Sequence, residues 1–287
     1  MAISLAYLGP IGTNSETAAL AYARFLADTM NEEIILHPYP SIAQTIQAAA
    51  TKEANLAIAP VENSTEGSVT ITLDTLWQLE QLNIQQELVL PISHVFLSRG
   101  TSLQGLKTVY SHPQALAQCQ RWLTHFLPKV KLIPTNSTTE ALSEINQDPT
   151  SGAIASPRAA KLYDLPVLAT NINDYPDNCT RFWVVGLTPS TVGNKISLGF
   201  SVPANVPGAL VKPLQVFASK EINLSRIESR PTRRSLGEYL FFIDLEIQYD
   251  HTLTQEALSE LATHTEIIKI FGQYCVTPIS PSILSEL

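Results

Sequence analysis

Cysteine, basic charge and long apolar runs are all scarce in this chain of 287 residues. Its three cysteines, Cys119, Cys179 and Cys275, are far apart and odd in number, so they predict neither a disulfide framework nor a structural zinc site. Lys and Arg number 18 against 26 Asp and Glu, and the net charge of -8 argues against nucleic acid or an anionic membrane as a partner. No apolar run approaches the length of a membrane span, and the N-terminus has no basic segment ahead of an apolar one. We therefore expect a cytoplasmic protein.

Several common catalytic motifs are also absent. The sequence contains no P-loop, GxGxxG, HExxH or GxSxG pattern, which argues against nucleotide, zinc-protease and serine-hydrolase chemistry. No Cys/His cluster with metal-ligand spacing is present either. We therefore expect no cofactor and no metal.

Strand-like and helix-like segments alternate through the first two-thirds of the chain. This alternation predicts an α/β architecture with largely parallel sheets, and the length suits two domains. Strands are predicted at 3–8, 34–37, 56–60, 88–96, 108–110, 131–134 and 153–155. Helices are predicted at 15–28, 42–50, 71–79, 113–126, 138–145 and 157–162.

Four of the predicted strand ends lead into turns rich in hydroxyl and amide side chains, each expected to open a helix. The carboxyl ends of strands are where open α/β sheets place ligands, and helix N-termini offer free N–H groups to anions. Together the turns predict a cleft that holds carboxylates with few basic side chains. The turns are Gly12-Thr13-Asn14-Ser15, Glu62-Asn63-Ser64-Thr65, Ser111-His112-Pro113 and Ser156-Pro157.

The last third of the chain has a different pattern. A polar linker runs from Thr188 to Asn194. The order βαββαβ then fits into residues 195–275, which is typical of a ferredoxin-like domain. Beyond Val276 the prolines and serines predict a tail.

Seven short segments carry a family resemblance that spans nearly the whole chain. Five of them, in order, resemble the successive signatures of the prephenate dehydratase family. The two segments near the C-terminus resemble an ACT regulatory domain of the dehydratase type. The first five are Tyr7-Leu8-Gly9-Pro10-Ile11-Gly12-Thr13, residues 60–69, Ser111-His112-Pro113-Gln114-Ala115-Leu116, Ala153-Ile154-Ala155-Ser156 with Ala159-Ala160, and Asn178-Cys179-Thr180-Arg181-Phe182; the last two are Gly208-Ala209-Leu210 and Glu228-Ser229-Arg230-Pro231.

The resemblance implies a fold in three parts. Residues 3–187 would form a catalytic domain of two lobes, in the manner of type II periplasmic binding proteins, with the second lobe inserted at about 77–166. Residues 195–275 would form the ACT domain. Because the chain begins at the first dehydratase strand, it resembles the monofunctional members of the family. The family also implies a homodimer or a homotetramer.

The resemblance implies a carbon–oxygen lyase of L-phenylalanine biosynthesis. Prephenate would lose its ring carboxylate as CO2 and its ring hydroxyl as water, giving phenylpyruvate. Aromatisation of the ring drives this reaction, so neither a metal nor a redox cofactor is required. The nearest alternative is an arogenate dehydratase, whose substrate differs only in its side chain. An alternative of another class is a non-catalytic sensor that binds a small molecule.

The resemblance makes Thr180 the residue on which activity depends. Its hydroxyl would hydrogen-bond to the leaving oxygen, or relay a proton from a neighbour or from water. Arg181 would either pair with a substrate carboxylate or brace the structure through a salt bridge. Phe182 would pack against the substrate. Glu62 has two readings, as the acid that gives the proton or as a structural partner of a helix or an arginine.

Neutral donors would complete the substrate site, since they bind carboxylates without burying further charge. His112 is a further candidate because it lies at one of the turns. The predicted neutral donors are Thr13, Asn63, Ser64, Ser111 and Ser156.

The ACT resemblance implies that L-phenylalanine binds at a subunit interface as an allosteric effector. Its backbone contacts would lie near Gly208, and leucine side chains would meet its ring. Arg230 could contact the ligand or another subunit. The positions that match the family's effector site are Pro207, Gly208, Ala209, Leu210, Asn223 and Leu224.

Overall fold

The structure is a computed structural model that describes residues 2–30, 32–137, 140–145, 148–247 and 251–287. The predicted α/β class and two-lobed catalytic domain are confirmed. Among the described residues, no helix has both the length and the apolar character needed to cross a membrane. The first lobe is built from β1 (Ile3–Leu8), α1 (Asn14–Met30), β2 (Ile34–Tyr39), α2 (Ile42–Ala50), β3 (Leu56–Asn63), β4 (Gly67–Ser68), α3 (Thr70–Gln78) and β5 (Asn83–Pro91).

A separate five-stranded sheet forms the second lobe, with the strand order β10-β6-β9-β7-β8. Its central strand β9 is buried at every residue, as expected for a strand covered by helices on both faces. The elements are β6 (Val95–Leu97), β7 (Thr108–Ser111), α4 (Pro113–Gln118), α5 (Gln120–Phe126), β8 (Lys131–Pro134), α6 (Glu140–Glu144), β9 (Ser151–Ala155), α7 (Pro157–Leu162) and β10 (Val167–Ala169). The predicted helix at 138–145 begins on residues outside the described ranges.

The chain leaves the first lobe later than predicted. The expected boundary near Trp77 is wrong, because β5 pairs along its whole length with β11 (Cys179–Gly186) in the first-lobe sheet. The expected end at Pro166 is also early, since β10 still pairs with β6. The predicted strand 88–96 is therefore two strands, which belong to different sheets.

Two apolar clusters cover opposite faces of the first-lobe sheet, and β11 contributes to both. Phe182 and Val184 pack in one cluster, whereas Trp183 and Val185 pack in the other. This alternation is the normal period of two of a β-strand. It fixes which side of the sheet each residue of the Cys179–Gly186 strand faces.

The predicted βαββαβ order of the ACT domain is confirmed. Its helices pack on one face of the sheet, around Phe200 and Phe217. The elements are β12 (Lys195–Ser201), α8 (Val211–Ser219), β13 (Asn223–Pro231), β14 (Tyr239–Glu246), α9 (His251–Ala262) and β15 (Ile267–Pro278).

One strand joins the two domains. The first part of β15, from Ile267 to Tyr274, pairs with β12 of the ACT sheet, and Cys275–Pro278 continues in parallel with β5 of the first lobe. The result is one continuous sheet with the order β13-β14-β12-β15-β5-β11-β3-β1-β2, with β4 paired to β3.

The predicted C-terminal tail is wrong. Ser280 caps a helix, α10 (Pro281–Glu286), with a proline at its first position. Ile279 is buried in the first-lobe core, and Arg158 of α7 donates to the Leu287 carbonyl oxygen at 2.5 Å. The Ser-Pro pair that suggested a tail is in fact a helix start, of the same kind as Ser156-Pro157.

Candidate active site

A cleft of about 620 Å³ lies between the two lobes. It is bordered by the ends of β1, β3 and β11, by the start of α1, and by α4 of the second lobe. Among the described residues, its lining contains no Lys, Arg, Asp or Glu, which agrees with the prediction of few basic side chains. Its polar lining residues are Thr13, Asn14, Ser15, Asn63, His94, His112, Gln114, Gln118, Asn136, Ser137 and Thr180.

Thr180 and Asn63 lie directly opposite each other on the neighbouring strands β11 and β3. The Asn63 side-chain oxygen accepts from the backbone N–H groups of Thr65 and Glu66, both at 3.1 Å, which fixes the orientation of its amide. Its Nδ2 therefore donates to Thr180 Oγ1, at 2.9 Å. Because that oxygen already accepts, the Thr180 hydroxyl proton is free to point at a ligand in the cleft.

The orientation of the Asn63 amide also fixes which atoms donate and which accept in a buried chain of hydrogen-bonded side chains. Asn63 Nδ2 also donates to Asn178 Oδ1, and Asn178 Nδ2 donates to Gln118 Oε1 at 3.0 Å. His94 Nε2 is 3.0 Å from the same Gln118 oxygen, so it must carry a proton. Burial lowers the pKa of His94, although its hydrogen bond to Gln118 acts in the other direction. His94 is thus neutral near pH 7, and its Nδ1 has no hydrogen-bond partner among the described residues.

Thr13 and Phe182 also line the cleft, as predicted. Thr13 precedes α1, where its hydroxyl accepts from Glu16 N–H at 3.3 Å and donates to the Pro10 carbonyl at 2.9 Å. It therefore holds the start of α1 against the cleft. The N–H groups of Asn14 and Ser15, the first two of this helix, have no intrahelical acceptor and can meet an anion.

Three of the predicted substrate donors do not line the cleft, because the fold uses their hydroxyls. Ser111 donates to the Ile154 carbonyl at 2.7 Å, which ties β7 to β9. Ser156 caps α7 and donates to the Gly12 carbonyl at 2.9 Å, which joins the two lobes. Ser64 donates to Asn178 Oδ1 at 3.2 Å. The contacts of these three hydroxyls hold together the elements around the cleft.

Arg181 faces away from the cleft, so the predicted contact between Arg181 and the substrate is wrong. It lies between Thr180 and Phe182 in a strand, and neighbouring side chains of a strand point to opposite faces. Its guanidinium is held by Glu62 at 2.6 Å, by both oxygens of Glu87, and by Asp244 of the ACT domain at 2.7 Å.

The same contacts decide between the two readings of Glu62. Glu62 holds an arginine on the far side of the sheet, so it is not placed to act as the acid in the cleft. Burial opposes the positive charge of Arg181, but its hydrogen bonds and the charges of Glu87 and Asp244 raise its pKa above the ordinary value. The guanidinium therefore stays charged.

The predicted effector residues form two groups at opposite ends of the ACT domain. The Pro207–Leu210 turn follows the end of β12 at Ser201, whereas Asn223 is in register with Glu246 and so lies level with Lys195 at the start of β12. Gly208 has a positive φ of 82° with open space around it, a backbone conformation that favours glycine. Leu210 and Leu224 are half-buried against the ACT core, and exposed Asn223 donates to Glu246 at 2.8 Å. Pro207 is exposed and Ala209 half-buried in the same turn. Arg230 is held by Asp74 of α3, at 3.0 and 3.1 Å, so it joins the ACT domain to the first lobe.

Sequence reasoning missed His94, Gln118 and Asn178 as members of the site. Asn178 was within reach, since it stands in the same motif as Thr180. Gln118 lies on the helix that follows Ser111-His112-Pro113, one turn beyond Gln114. His94 has no local signal, because it lies in the crossover between β5 and β6, within the apolar run that predicts one strand at 88–96.

Comparison with known proteins agrees with this geometry. Residues 5–190 match the prephenate dehydratase family, and residues 196–262 match the ACT domain family. The bifunctional chorismate mutase/prephenate dehydratase of Aquifex aeolicus (strain VF5) is 40% identical over 275 residues, covering 95% of this chain and 73% of that protein. The prephenate dehydratase of Lactococcus lactis subsp. cremoris (strain MG1363) is 37% identical over 282 residues, covering 96% of this chain and 98% of that protein.

A solved structure is similar over nearly the whole chain. The crystal structure of prephenate dehydratase from Arthrobacter aurescens, in complex with L-Phe, has a TM-score of 0.83 and 30% identity, and covers 99% of this chain and 96% of that one. Similarity of this extent includes both lobes and the ACT domain. The chain therefore belongs to the prephenate dehydratase family and combines that family's catalytic domain with an ACT domain.

Proposed function

We propose that the cleft binds prephenate and that Thr180 assists departure of its ring hydroxyl. The bond from the ring to its carboxylate breaks and releases CO2, and those electrons enter the ring. The carbon–oxygen bond on the opposite side breaks at the same time. One proton joins the departing hydroxide, so the products are phenylpyruvate, CO2 and water.

The observation that carries this proposal is the hydrogen bond from Asn63 to Thr180. Since Asn63 occupies the Thr180 oxygen, the hydroxyl proton faces the cleft and can meet the leaving oxygen as negative charge develops there. A threonine hydroxyl is too weak an acid to give up its proton outright, so we assign the proton to water that hydrogen-bonds with Thr180. Glu62 is excluded as its source by its position behind the sheet.

The substrate carboxylates are bound by neutral groups in this proposal. Asn14 and Ser15 line the cleft at the start of the 17-residue helix α1, whose N-terminus favours negative charge. His112 lies opposite, where its Nδ1 accepts from Gln114 N–H at 3.3 Å, so its Nε2–H remains as a donor. Leu8, Ile92 and Phe182 supply apolar surface for the ring. A site without fixed cations also avoids stabilising the departing carboxylate as an anion.

The proposal is tested by incubating the purified protein with prephenate and measuring phenylpyruvate by its absorbance in alkali. Arogenate is assayed in parallel as the alternative substrate, with L-phenylalanine as its product. We expect conversion of prephenate and a higher kcat/KM for it than for arogenate. A preference for arogenate would change the substrate assignment, and no turnover of either would leave the sensor as the better reading.

For regulation we propose L-phenylalanine as the effector, because the Arthrobacter aurescens enzyme is described in complex with it. Its proposed site lies at a subunit interface and comprises the Pro207–Leu210 turn together with Asn223 and Leu224. We also propose that the enzyme is a homodimer or a homotetramer in the cytoplasm. The β13 strand is an edge of the ACT sheet with Ile227 exposed, which suits pairing with a second copy. Light scattering with and without L-phenylalanine tests this assembly.

A further inference from the structure

Two arginines from different domains approach the same two carboxylate oxygens. Arg181 of the catalytic strand β11 is 2.6 Å from Glu62 Oε2 and 2.7 Å from Asp244 Oδ2. Arg226 of the ACT strand β13 is 3.8 Å from the same Glu62 oxygen and 3.9 Å from the same Asp244 oxygen. Arg181 therefore holds both oxygens, while Arg226 lies just beyond hydrogen-bond distance of each.

Arg226 is buried without full hydrogen bonding. Its side chain is 4% exposed, and Nη2 donates to Ser68 Oγ at 3.0 Å. Its Nε and Nη1 have no hydrogen-bond partner among the described residues, although each lies within 4 Å of a carboxylate oxygen. Buried guanidinium N–H groups without acceptors are costly, and an approach of roughly 1 Å to Glu62 and Asp244 would satisfy both. These unpaired N–H groups therefore favour a second arrangement of the cluster, close to the observed one.

Arg181 and Glu62 are the sequence neighbours of Thr180 and Asn63, the two residues that make the catalytic hydrogen bond. In the pairing of β11 with β3, Thr180 is opposite Asn63 and Arg181 is opposite Glu62. The pairing shifts its register immediately after Arg181, so this end of the ladder is irregular. The ion pair on one face of the sheet therefore fixes the strands that carry Thr180 and Asn63 on the other.

On the ACT side, the competing arginine belongs to the strand of the proposed effector site. Arg226 follows Asn223 and Leu224 on β13, and it is paired in register with Asp244 of β14. A register irregularity separates Leu224 from Arg226. A shift of β13 on binding an effector would therefore move Arg226 relative to the two carboxylates.

We propose that Arg181 is the positioning residue for Thr180 and that Arg226 competes with it for Glu62 and Asp244. In the active arrangement Arg181 holds both carboxylates and the Thr180–Asn63 couple is in place. In the inhibited arrangement Arg226 takes them, and Arg181 keeps only Glu87. This rests on the function proposed above, and an effector can shift the balance only by binding the second arrangement more tightly.

The chain offers a matched set of variants for the test. Asp244→Asn weakens the anchor of Arg181 on the ACT side, and Arg226→Lys keeps the charge but removes the fork of donors. Asp74→Asn is the control, because Asp74 also joins the two domains through arginines but contacts neither Arg181 nor Glu62. For each full-length variant, kcat, KM and the L-phenylalanine concentration for half-inhibition are measured.

We expect Asp244→Asn to lower kcat by about tenfold or more with little change in KM, because a small misplacement of Thr180 affects the reaction step. Arg226→Lys should keep kcat within about twofold and raise the half-inhibiting concentration by about tenfold, which is inside the usual range of allosteric coupling. Asp74→Asn should change neither kcat nor the half-inhibiting concentration of L-phenylalanine.

Trp183 gives a spectroscopic signal, since its indole N–H donates to Glu87 in the same cluster at 3.0 Å. Its emission should shift on adding L-phenylalanine to the wild type, but not to Arg226→Lys.

Each outcome has a distinct meaning. A folded Asp244→Asn protein with wild-type kcat overturns the positioning role of Arg181. Wild-type inhibition in Arg226→Lys, or the same loss of inhibition in Asp74→Asn, overturns the competition. A wild-type enzyme that ignores L-phenylalanine overturns the effector and the competition together, while Asp244→Asn still decides the positioning. Absence of any turnover in the wild type contradicts the proposed function itself.

Discussion

At the scale of single residues, the Thr180 hydroxyl is the one group whose role follows from the direction of a hydrogen bond. Asn63 donates to its oxygen, so its proton is left for the substrate. Thr180→Ala should lower kcat by about a hundredfold or more with a smaller change in KM, since a donor to developing charge is lost. Thr180→Ser keeps the hydroxyl and should retain most of the activity. Near-normal kcat in a folded Thr180→Ala protein would contradict the assignment.

Asn63 acts on the reaction through Thr180, and this can be measured by coupling. Asn63→Asp puts an acceptor where the donor to Thr180 stood, so the threonine proton turns away from the cleft. We expect a loss of kcat similar to that of Thr180→Ala. The double variant should be little worse than either single one, because residues in one network are not additive. Additive losses would show that Asn63 acts on the substrate by itself.

His94 should make the stability of the enzyme depend on pH. Its folded pKa lies below the ordinary 6.5 because it is buried. Between 6.5 and that lower value the unfolded chain binds more protons, so the free energy of unfolding falls as the pH falls through this window. Urea unfolding at several pH values should show a steeper fall for the wild type than for His94→Gln. Equal slopes would mean that His94 is not buried neutral.

The main error in predicting the site from the sequence was to assign residues that are adjacent in the sequence to the same side of the strand. Thr180, Arg181 and Phe182 were assigned together because they share a motif, yet a strand sends them alternately to opposite faces. The alternation of the strand was visible in the sequence. The face that lines the cleft, however, is decided by contacts with segments that are distant in the sequence. The turns at Ser111 and Ser156 open helices as predicted, whereas the turn at Ser64 is wrong as a helix start because it leads into β4. Whether their hydroxyls met a ligand or the fold depended on tertiary contacts.

At the scale of elements, helices and strands with strong local signals were predicted well. The strand Ile3–Leu8 has the predicted bounds, and the helix Asn14–Met30 differs by two residues or fewer at each end. The segment 88–96 was misread because an apolar run does not show where the chain passes from one sheet to another. The helix predicted at 113–126 is two helices that meet at Cys119.

The C-terminal segment that begins at Ile279 and continues into α10 is a stabilising part of the first lobe. Ile279 is 4% exposed and packs with the core that includes Leu5 and Phe182. Ile279→Ala should lower the free energy of unfolding by about 2–4 kcal/mol, through lost burial and the cavity left behind. Val192→Ala is the control, because Val192 is 74% exposed and should cost less than about 0.5 kcal/mol. Urea unfolding followed by circular dichroism measures both.

At the scale of the whole molecule, the two domains share a sheet and cannot be divided at one point. The catalytic unit predicted at 3–187 lacks Cys275–Pro278, which pair with β5, and the helix that follows. A chain that ends at Leu187 should therefore leave β5 as an exposed edge and lose cooperative unfolding. Thermal unfolding tests this directly. A cooperative transition near that of the full chain would show that residues 3–187 are an independent unit.

The path of β15 has a consequence for recombination of such enzymes. The strand β15 begins in the ACT sheet and ends in the catalytic sheet. The ACT domain is therefore inserted within the catalytic domain and is not simply appended to its C-terminus. A chimera that borrows a foreign regulatory module therefore needs two splice sites. One falls in the 188–194 linker and the other between Tyr274 and Cys275, so that the host retains its own last thirteen residues. A chimera joined at a single point after the linker would lose the last strand segment and the C-terminal helix of the catalytic domain's own core.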